Sequence, residues 1–226
     1  CASSTRPILY AAPSLLPHTT PAMNTPGFWI SRHPNPDTVI LSDERIRRFN
    51  EHILNDLKLT QELSMWPISA PGASLRETLQ NQLEDLQGRD LMFLNGTRSS
   101  SAYWAAMRQA LNFEAIPETI PRQYGFIVQY ADQRFLPTNE GLYAQAHDED
   151  FDELQNSALD IGTPVVIRHR SLDGQWLLVE SSTSTGWVHT DKVATASEEQ
   201  VNHFWSAPFF IVTSPKVDLY LNDEMT

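Results

Sequence analysis

The sequence predicts an α+β chain in which a helical N-terminal domain precedes a small closed β-barrel and the start of a second one. Three observations predict this class. Apolar residues recur at helical spacing before residue 120, short runs of β-branched and aromatic residues follow it, and these runs are faintly repeated near the chain end. We therefore place the helical domain at 24–120, the first barrel at 121–197 and the beginning of a second, truncated barrel at 207–226.

A first helix is predicted from Ser42 onward. The Ser42 hydroxyl can cap it, and the carboxylates of Asp43 and Glu44 suit the positive end of the helix dipole. One face of this segment carries Ile46, Phe49, Ile53, Leu54 and Leu57. The period is helical, so the segment is predicted to be an amphipathic helix.

Two further helices are predicted before residue 120. Ser74, with Glu77 three residues later, forms a capping-box pattern, and Gly88 ends this second helix. Its apolar positions are Leu75, Leu79, Leu83 and Leu86. A weaker helical segment spans 101–111. Its inward residues are Trp104, Met107 and Leu111.

The pattern after residue 120 predicts strands instead of helices. The predicted strands are 124–128, 164–167, 176–179 and 186–188. Asp173 and Gly174 mark a turn between two of them, so 164–180 is predicted to be a β-hairpin. Residues 191–193 fit the short turn that closes small barrels.

A faint repeat predicts the second barrel. Residues 126–136 resemble residues 210–220, because each segment has an apolar β-type run followed by a second apolar pair. The second barrel would then begin near 207 and be cut at Thr226. A single pair of strands is not stable alone, so we expect the natural protein to continue or this end to pack on something else.

Cys1 is the only cysteine, which excludes an internal disulfide and a cysteine-rich zinc site. Ala2, Ser3 and Ser4 are small residues that fit the mature start of a bacterial lipoprotein, whose first cysteine is acylated. Prolines and small polar residues through 1–23 indicate an extended lipoprotein tether. We therefore expect Cys1 to be a lipid anchor, with the protein in the cell envelope on the periplasmic side of the outer membrane. The alternative is a chain boundary that falls on a cysteine by chance.

The charge of the chain limits its partners. A formal net charge of -12 argues against binding to nucleic acid or to anionic lipid, because both need clustered Lys and Arg. No run of about 18 apolar residues occurs, so membrane contact is expected only through acyl chains on Cys1. The chain also lacks a Gly-rich phosphate loop, and no cofactor is predicted.

No metal site is predicted either. None of the seven histidines falls in an i, i+4 pair or near a second ligand at zinc spacing. His147 precedes the acidic run 148–153, but this run lacks the glycine and ligand spacing of a calcium loop, so we interpret it as a solvated acidic loop. His33 is expected to hold its own loop together, and Asn95 with Gly96 predicts a turn.

Five segments resemble one known family. They are TPGFWISRHPNPD at 25–37, PRQYG at 121–125, FDELQNSAL at 151–159, DGQW at 173–176 and GWV at 186–188. Together they cover most of 25–195 and resemble the non-catalytic front half of the NlpC-type cell-wall cysteine endopeptidases. In that family a helical stabilising domain precedes two bacterial SH3-like barrels and a papain-like catalytic domain. The resemblance therefore implies that the barrels predicted here are bacterial SH3-like β-barrels.

The resemblance implies a role in the cell wall without supplying a catalytic residue. Family chemistry needs a cysteine thiolate activated by a histidine, and no internal cysteine exists. The expected role is targeting or substrate gating for an endopeptidase that cleaves γ-D-glutamyl-diamino acid bonds in peptidoglycan. The alternative is a non-enzymatic scaffold or wall-binding component of a larger, secretion-type envelope assembly. Peptidoglycan or envelope-complex proteins are the expected partners, with glycan or peptide recognition left open.

Aromatic residues are the candidate binding residues, since SH3-like barrels use such rings to line a groove for extended peptide. The candidates for peptide or partner binding are Tyr130, Phe135, Tyr124 and Trp29. Tyr130 and Phe135 flank a predicted loop and are expected to be the most exposed. The alternative for each ring is that it fills a barrel or the domain seam. Trp187 is expected to be such a core or seam residue, with its strand neighbours on the opposite face.

Replacing Cys1 tests the predicted lipid anchor. In the native host, Cys1→Ser should move the protein from the membrane fraction to the soluble fraction, because two or more acyl chains give stable attachment. Fractionation followed by immunoblotting measures this. Undiminished abundance in the membrane fraction would contradict lipid anchoring.

Overall fold

The structure is a computed structural model that describes residues 17–62 and 66–209. The chain divides into two compact units, Cys1–Leu57 and Lys58–Thr226. Cys1 and almost all of the predicted second barrel lie outside the described residues. No helix within the described ranges has the length and apolar character needed to cross a membrane.

The described part of the first unit consists of short helices. A 3-10 helix at Pro21–Asn24 precedes α1 (Pro26–Ile30) and α2 (Asp43–Glu51), which continues as a π-helical turn at His52–Asp56. The predicted helix start is confirmed, since the Ser42 hydroxyl accepts a hydrogen bond from the Arg45 backbone N–H at 3.4 Å. None of residues 17–57 is buried, however, so the amphipathic face of α2 does not form a core within this unit.

The second unit contains α3 (Gly72–Gly88) and α4 (Ser101–Ala110). The predicted apolar positions are confirmed, with Leu79, Leu83, Leu86, Trp104 and Leu111 all buried. The capping box at Ser74 is wrong, because α3 begins two residues earlier. Gly72 fixes this earlier start: its N–H donates to the Glu118 carbonyl at 2.8 Å, and a Cβ there would overlap the Pro117 carbonyl oxygen.

Nine strands are found among the described residues. They are β1 (Ser69–Pro71), β2 (Thr119–Pro121), β3 (Gln123–Ile127), β4 (Ala131–Arg134), β5 (Gln155–Leu159), β6 (Pro164–Arg170), β7 (Trp176–Glu180), β8 (Thr185–His189) and β9 (Val193–Ala196). β1 and β2 form a separate antiparallel pair, and the other seven form one sheet in the order β5-β4-β8-β7-β6-β3-β9. A further helix, α5 (Glu198–Ser206), follows β9.

The four predicted strands are confirmed as β3, β6, β7 and β8. β6 and β7 form the predicted antiparallel hairpin, and Gly174 in its turn has φ +71°, a left-handed conformation that glycine adopts without strain. The predicted turn at 191–193 overlaps a 3-10 helix at Thr190–Lys192. Helix α5 was not predicted, although Ser197 and Gln200 form a complete capping box at its start.

The sheet is buried on both faces. Trp176, Leu178 and Trp187 belong to a large core cluster shared with α3 and α4, which we call the helix-side core. The alternate strand residues Leu177, Val179 and Val188 belong to a second cluster, the sheet-side core. The predicted alternation around Trp187 is therefore confirmed, and its ring is fully buried.

The sheet-side core consists only of residues from strands of this sheet, including Val193 at the start of β9. The sheet therefore curves so that strands of the same sheet cover this face. Its edge strands β5 and β9 are not hydrogen-bonded to each other, so the strands do not form a closed ring. The mixed helix and sheet class is confirmed, whereas barrel closure is not. The domain boundaries at 24–120 and 121–197 stay predictions. Within the second unit, α3 and α4 share one core with the sheet.

His169 joins the end of α4 to β6. Its Nε2 lies 3.0 Å from the Leu111 carbonyl oxygen and 3.2 Å from that of Asn112, so Nε2 must carry the donated hydrogen. Asn112 has φ 54° and in turn donates from its side chain to the Arg170 carbonyl at 3.3 Å. Burial lowers the pKa of His169, although the two backbone hydrogen bonds act in the opposite direction.

Truncating Trp187 should destabilise the second unit severely. Trp187→Ala removes a fully buried ring from the helix-side core and should cost about 3–5 kcal/mol, against a typical domain stability of about 5–15 kcal/mol. Thermal or urea unfolding measures the loss. Tyr130→Ala is the control, because Tyr130 is exposed and this variant should melt like the wild type. A stable Trp187→Ala variant would contradict this assignment.

His169 should make stability depend on pH. Since the folded-state pKa lies below the ordinary value, the unfolded chain binds the proton more tightly. Stability should therefore fall as pH drops below about 6.5 and level off below the folded-state pKa. His169→Gln keeps a donor for the two carbonyls without titrating, so its urea unfolding free energy should fall less between about pH 7.5 and pH 5. Equal losses in both proteins would refute this role.

Candidate functional site

A polar cleft of about 250 Å³ lies beside residues of β4, β7 and β8. We call it the β4–β8 cleft. It is lined by Tyr130, Ala131, Asp132, Arg134, Asn139, Trp176, His189 and Lys192. Strand alternation explains part of this set, because Asp132 and Arg134 are two residues apart on β4 and project from the same face.

One wall of the cleft is aromatic. The rings of Trp176 and His189 stack with centroids 3.8 Å apart and planes inclined by 30°. His189 Nε2 lies 2.7 Å from Asn139 Oδ1, and an amide oxygen can only accept, so Nε2 donates. Trp176 is 4% exposed, whereas Tyr130 is 57% exposed, so Tyr130 offers the accessible ring face.

The base of the cleft is held by an ion pair between Arg134 and Asp152. One Arg134 Nη donates to the Asp152 carboxylate at 2.9 Å and to the Glu140 carbonyl at 2.8 Å. The second Asp152 oxygen accepts from the backbone N–H groups of Leu142 at 3.1 Å and Leu154 at 2.9 Å. Asp152 therefore neutralises the charge of Arg134, and the contacts to Glu140 and Asp152 fix the position of its guanidinium group.

Two other charged groups at the cleft are available for a ligand. Asp132 accepts from the Gln155 side chain at 3.3 Å through Oδ1, and Lys192 donates to the Gln129 side chain at 2.8 Å. Neither forms an ion pair with another described residue. The cleft thus presents one carboxylate and one ammonium group that are not neutralised by a neighbour.

A second cleft of about 540 Å³ is open and mostly apolar. It is lined by Phe93, Leu94, Asn95, Glu140, Gly141, Tyr143 and His147. The backbones of Met92 and Tyr143 exchange hydrogen bonds of 3.0 and 2.7 Å at its side. The predicted turn beside it is confirmed, since Gly96 has φ +83° and the Thr97 N–H donates to the Asn95 side chain at 2.9 Å.

The structure separates the four aromatic candidates. Tyr130 is exposed and lines the β4–β8 cleft. Tyr124 is only 6% exposed and packs with Trp66, which fits the alternative in which its ring serves packing. Phe135 is half-buried against the helix-side core, which corrects its expected exposure. Trp29 is exposed in the first unit, where its Nε1 donates to the Met23 carbonyl at 2.8 Å.

The acidic run after His147 is only partly a solvated loop. Residues 148–150 are exposed as expected, but Asp152 pairs with Arg134, and Glu153 lies 3.2 Å from Arg89. Among residues 17–62 and 66–209 no group of three or more His, Cys, Asp or Glu is arranged to hold a metal ion. The expected local role of His33 agrees with its Nδ1 accepting from the Asn35 N–H at 3.2 Å.

Most residues that line the cleft were not predicted from the sequence. Asp132, Asn139, His189 and Lys192 are absent from the predicted site residues. His189 directly follows the recognised GWV run, and Lys192 lies in the recognised turn, so proximity to the strand end was an available signal. Asn139 reaches the cleft only through its loop, and no local pattern indicates this.

A known family model matches a segment that contributes two residues to the cleft. The family model for "SH3 domain (SH3b1 type)" matches residues 142–189, a range that includes Trp176 and His189 of the cleft. This part of the chain therefore resembles an SH3b1-type domain. A search of curated proteins finds no match to the chain.

A solved structure also shares this fold. It is that of an NlpC/P60 endopeptidase from Photobacterium damselae subsp. piscicida. It matches with a TM-score of 0.58 and 22% sequence identity, over 73% of this chain and 39% of that chain. The similarity shows a common fold, and the present chain spans well under half of that protein.

Proposed function

We propose that this chain is the non-catalytic, wall-binding part of a peptidoglycan endopeptidase of the NlpC type. The observation that carries the proposal is the SH3b1 domain at 142–189, whose strands contribute Trp176 and His189 to a polar cleft. The fold shared with an NlpC/P60 endopeptidase supports the same class. In this role the cleft binds a wall fragment and brings it to an endopeptidase active site.

Catalysis is assigned to residues other than those of this sequence. Hydrolysis by the NlpC chemistry needs an activated cysteine thiolate, and the only cysteine here is Cys1. The proposed target is the γ-D-glutamyl-diamino acid bond, and the proposed contribution of this chain is targeting and substrate gating. The open apolar cleft beside Phe93 is available for contact with the rest of such an enzyme or its substrate.

The proposed location is the cell envelope, on the periplasmic side of the outer membrane, with attachment through an acylated Cys1. The proline-rich composition of 1–23 fits a tether that follows such an anchor. The acidic net charge of -12 fits neutral or cationic partners better than anionic surfaces.

Binding to purified peptidoglycan sacculi tests the proposed function. The protein should co-sediment with sacculi, and Tyr130→Ala should reduce the bound fraction, because this variant removes the accessible ring of the cleft. Phe151→Ala is the matched control, since Phe151 is 68% exposed and does not line the cleft. This control should bind like the wild type.

The result also separates the two functional interpretations. Absence of wild-type binding to sacculi, with the protein folded by circular dichroism, would contradict wall recognition and favour the scaffold interpretation. Equal losses in Tyr130→Ala and Phe151→Ala would show that the cleft is not the binding surface.

A further inference from the structure

We infer that the β4–β8 cleft binds one sugar ring of the glycan strand and not the stem peptide. This inference rests on the proposed function and specifies the ligand class of the same site. It follows from the position of the cleft in the sheet, its size and the chemistry of its lining.

The position of the cleft disfavours an extended peptide. Peptides that add to a sheet need an edge strand with unpaired backbone groups. The cleft is lined by β4, β7 and β8, each of which has a neighbour on both sides in the sheet order. Peptides in the polyproline conformation instead need a groove between several exposed rings. Here Tyr130 is exposed, whereas Trp176 is 4% exposed and shares its face with His189.

The size of the cleft suits a single compact unit. Its volume of about 250 Å³ lies just below the roughly 300–1,000 Å³ of sites for drug-sized ligands. A pyranose ring is a unit of this scale, whereas several residues of an extended chain would project into solvent. The cleft therefore fits one ring whose neighbours in a polymer continue outside it.

The lining chemistry matches the two kinds of surface that a pyranose presents. Its C–H face packs on an aromatic ring, and Tyr130 supplies an exposed ring at the cleft. Its edge carries hydroxyl groups that both donate and accept. Asp132 Oδ2 can accept a hydrogen bond from a ligand, because only Oδ1 has a partner among the described residues. The Asn139 side-chain nitrogen can donate one, since it also lacks a described partner.

Lys192 adds a further donor to this arrangement. One of its three N–H groups is used by Gln129, which leaves two for a ligand. Ring oxygens, hydroxyl groups and acetyl carbonyls are all acceptors for such a group. Neutral polar sugars thus satisfy the free carboxylate, amide and ammonium groups together, without requiring a charged peptide terminus.

Titration with separate wall components tests the inference. The probes are a β-1,4-linked N-acetylglucosamine tetramer and a free stem tripeptide, added to the full chain and followed by isothermal titration calorimetry. The tetramer should bind saturably, and the tripeptide should not bind. Tyr130→Ala and the isosteric Asp132→Asn should each weaken tetramer binding about tenfold, since each removes one direct contact. Phe151→Ala should leave it unchanged.

The outcomes separate this inference from the proposed function. Binding of the tripeptide in place of the tetramer, with loss in Asp132→Asn, would overturn the glycan inference while supporting wall recognition. Sacculus binding that survives both cleft substitutions would overturn the cleft as the glycan site. Failure of the wild type to bind sacculi at all would instead contradict the proposed function. Unfolding curves for each variant exclude loss of fold as the cause.

Discussion

The rest of the structure depends on one constraint, which is that the seven-stranded sheet is buried on both faces. In β8, three consecutive residues satisfy this constraint. Trp187 fills the helix-side core, and Val188 fills the sheet-side core. Gly186 makes room for β4, because a Cβ there would lie 2.7 Å from Cγ of Gln133 and 2.8 Å from the Arg134 carbonyl oxygen. The GWV run is therefore explained by packing alone, and His189 at the end of the same strand contributes to the cleft.

A partly buried charge pair positions a segment that lines both described clefts. Arg134 and Asp152 join β4 to the segment that carries Glu140, and that segment lines both clefts. Removing Asp152 would leave the buried Arg134 guanidinium without its carboxylate partner and would destabilise the fold. Burial also raises the pKa of the Tyr103 hydroxyl, as do the carboxylates of Glu140 and Asp152, so this group stays neutral beside the pair. The Arg134–Asp152 pair thus holds the segment that carries Glu140, and the neighbouring Tyr103 hydroxyl adds no charge.

The sequence was sufficient where local pattern and tertiary packing agree. The apolar periods of α3 and α4 predicted their type and their inward residues, and the β-type runs of β6 and β7 predicted their type. β4 and β5 were missed because ADQR and QNSAL are largely polar, and their place in the sheet comes from pairing between segments more than 20 residues apart. The start of α3 was misplaced for a similar reason, since a distant segment around Glu118 decides it.

The cleft shows why binding residues were harder to predict than the core. Its base consists of Trp176 and Arg134, which also stabilise the helix-side core and the ion pair, whereas its rim consists of the exposed Tyr130 and Asp132. A hydrophobic sequence pattern can identify the buried residues at the base of the cleft. For the exposed residues at its rim, the only sequence signal is their position beside a strand. The exposed rim residues contribute little to stability, whereas the base residues pack in the core. Substitutions at the rim can therefore change ligand preference while the fold is retained. Changes at the base would alter stability and binding together.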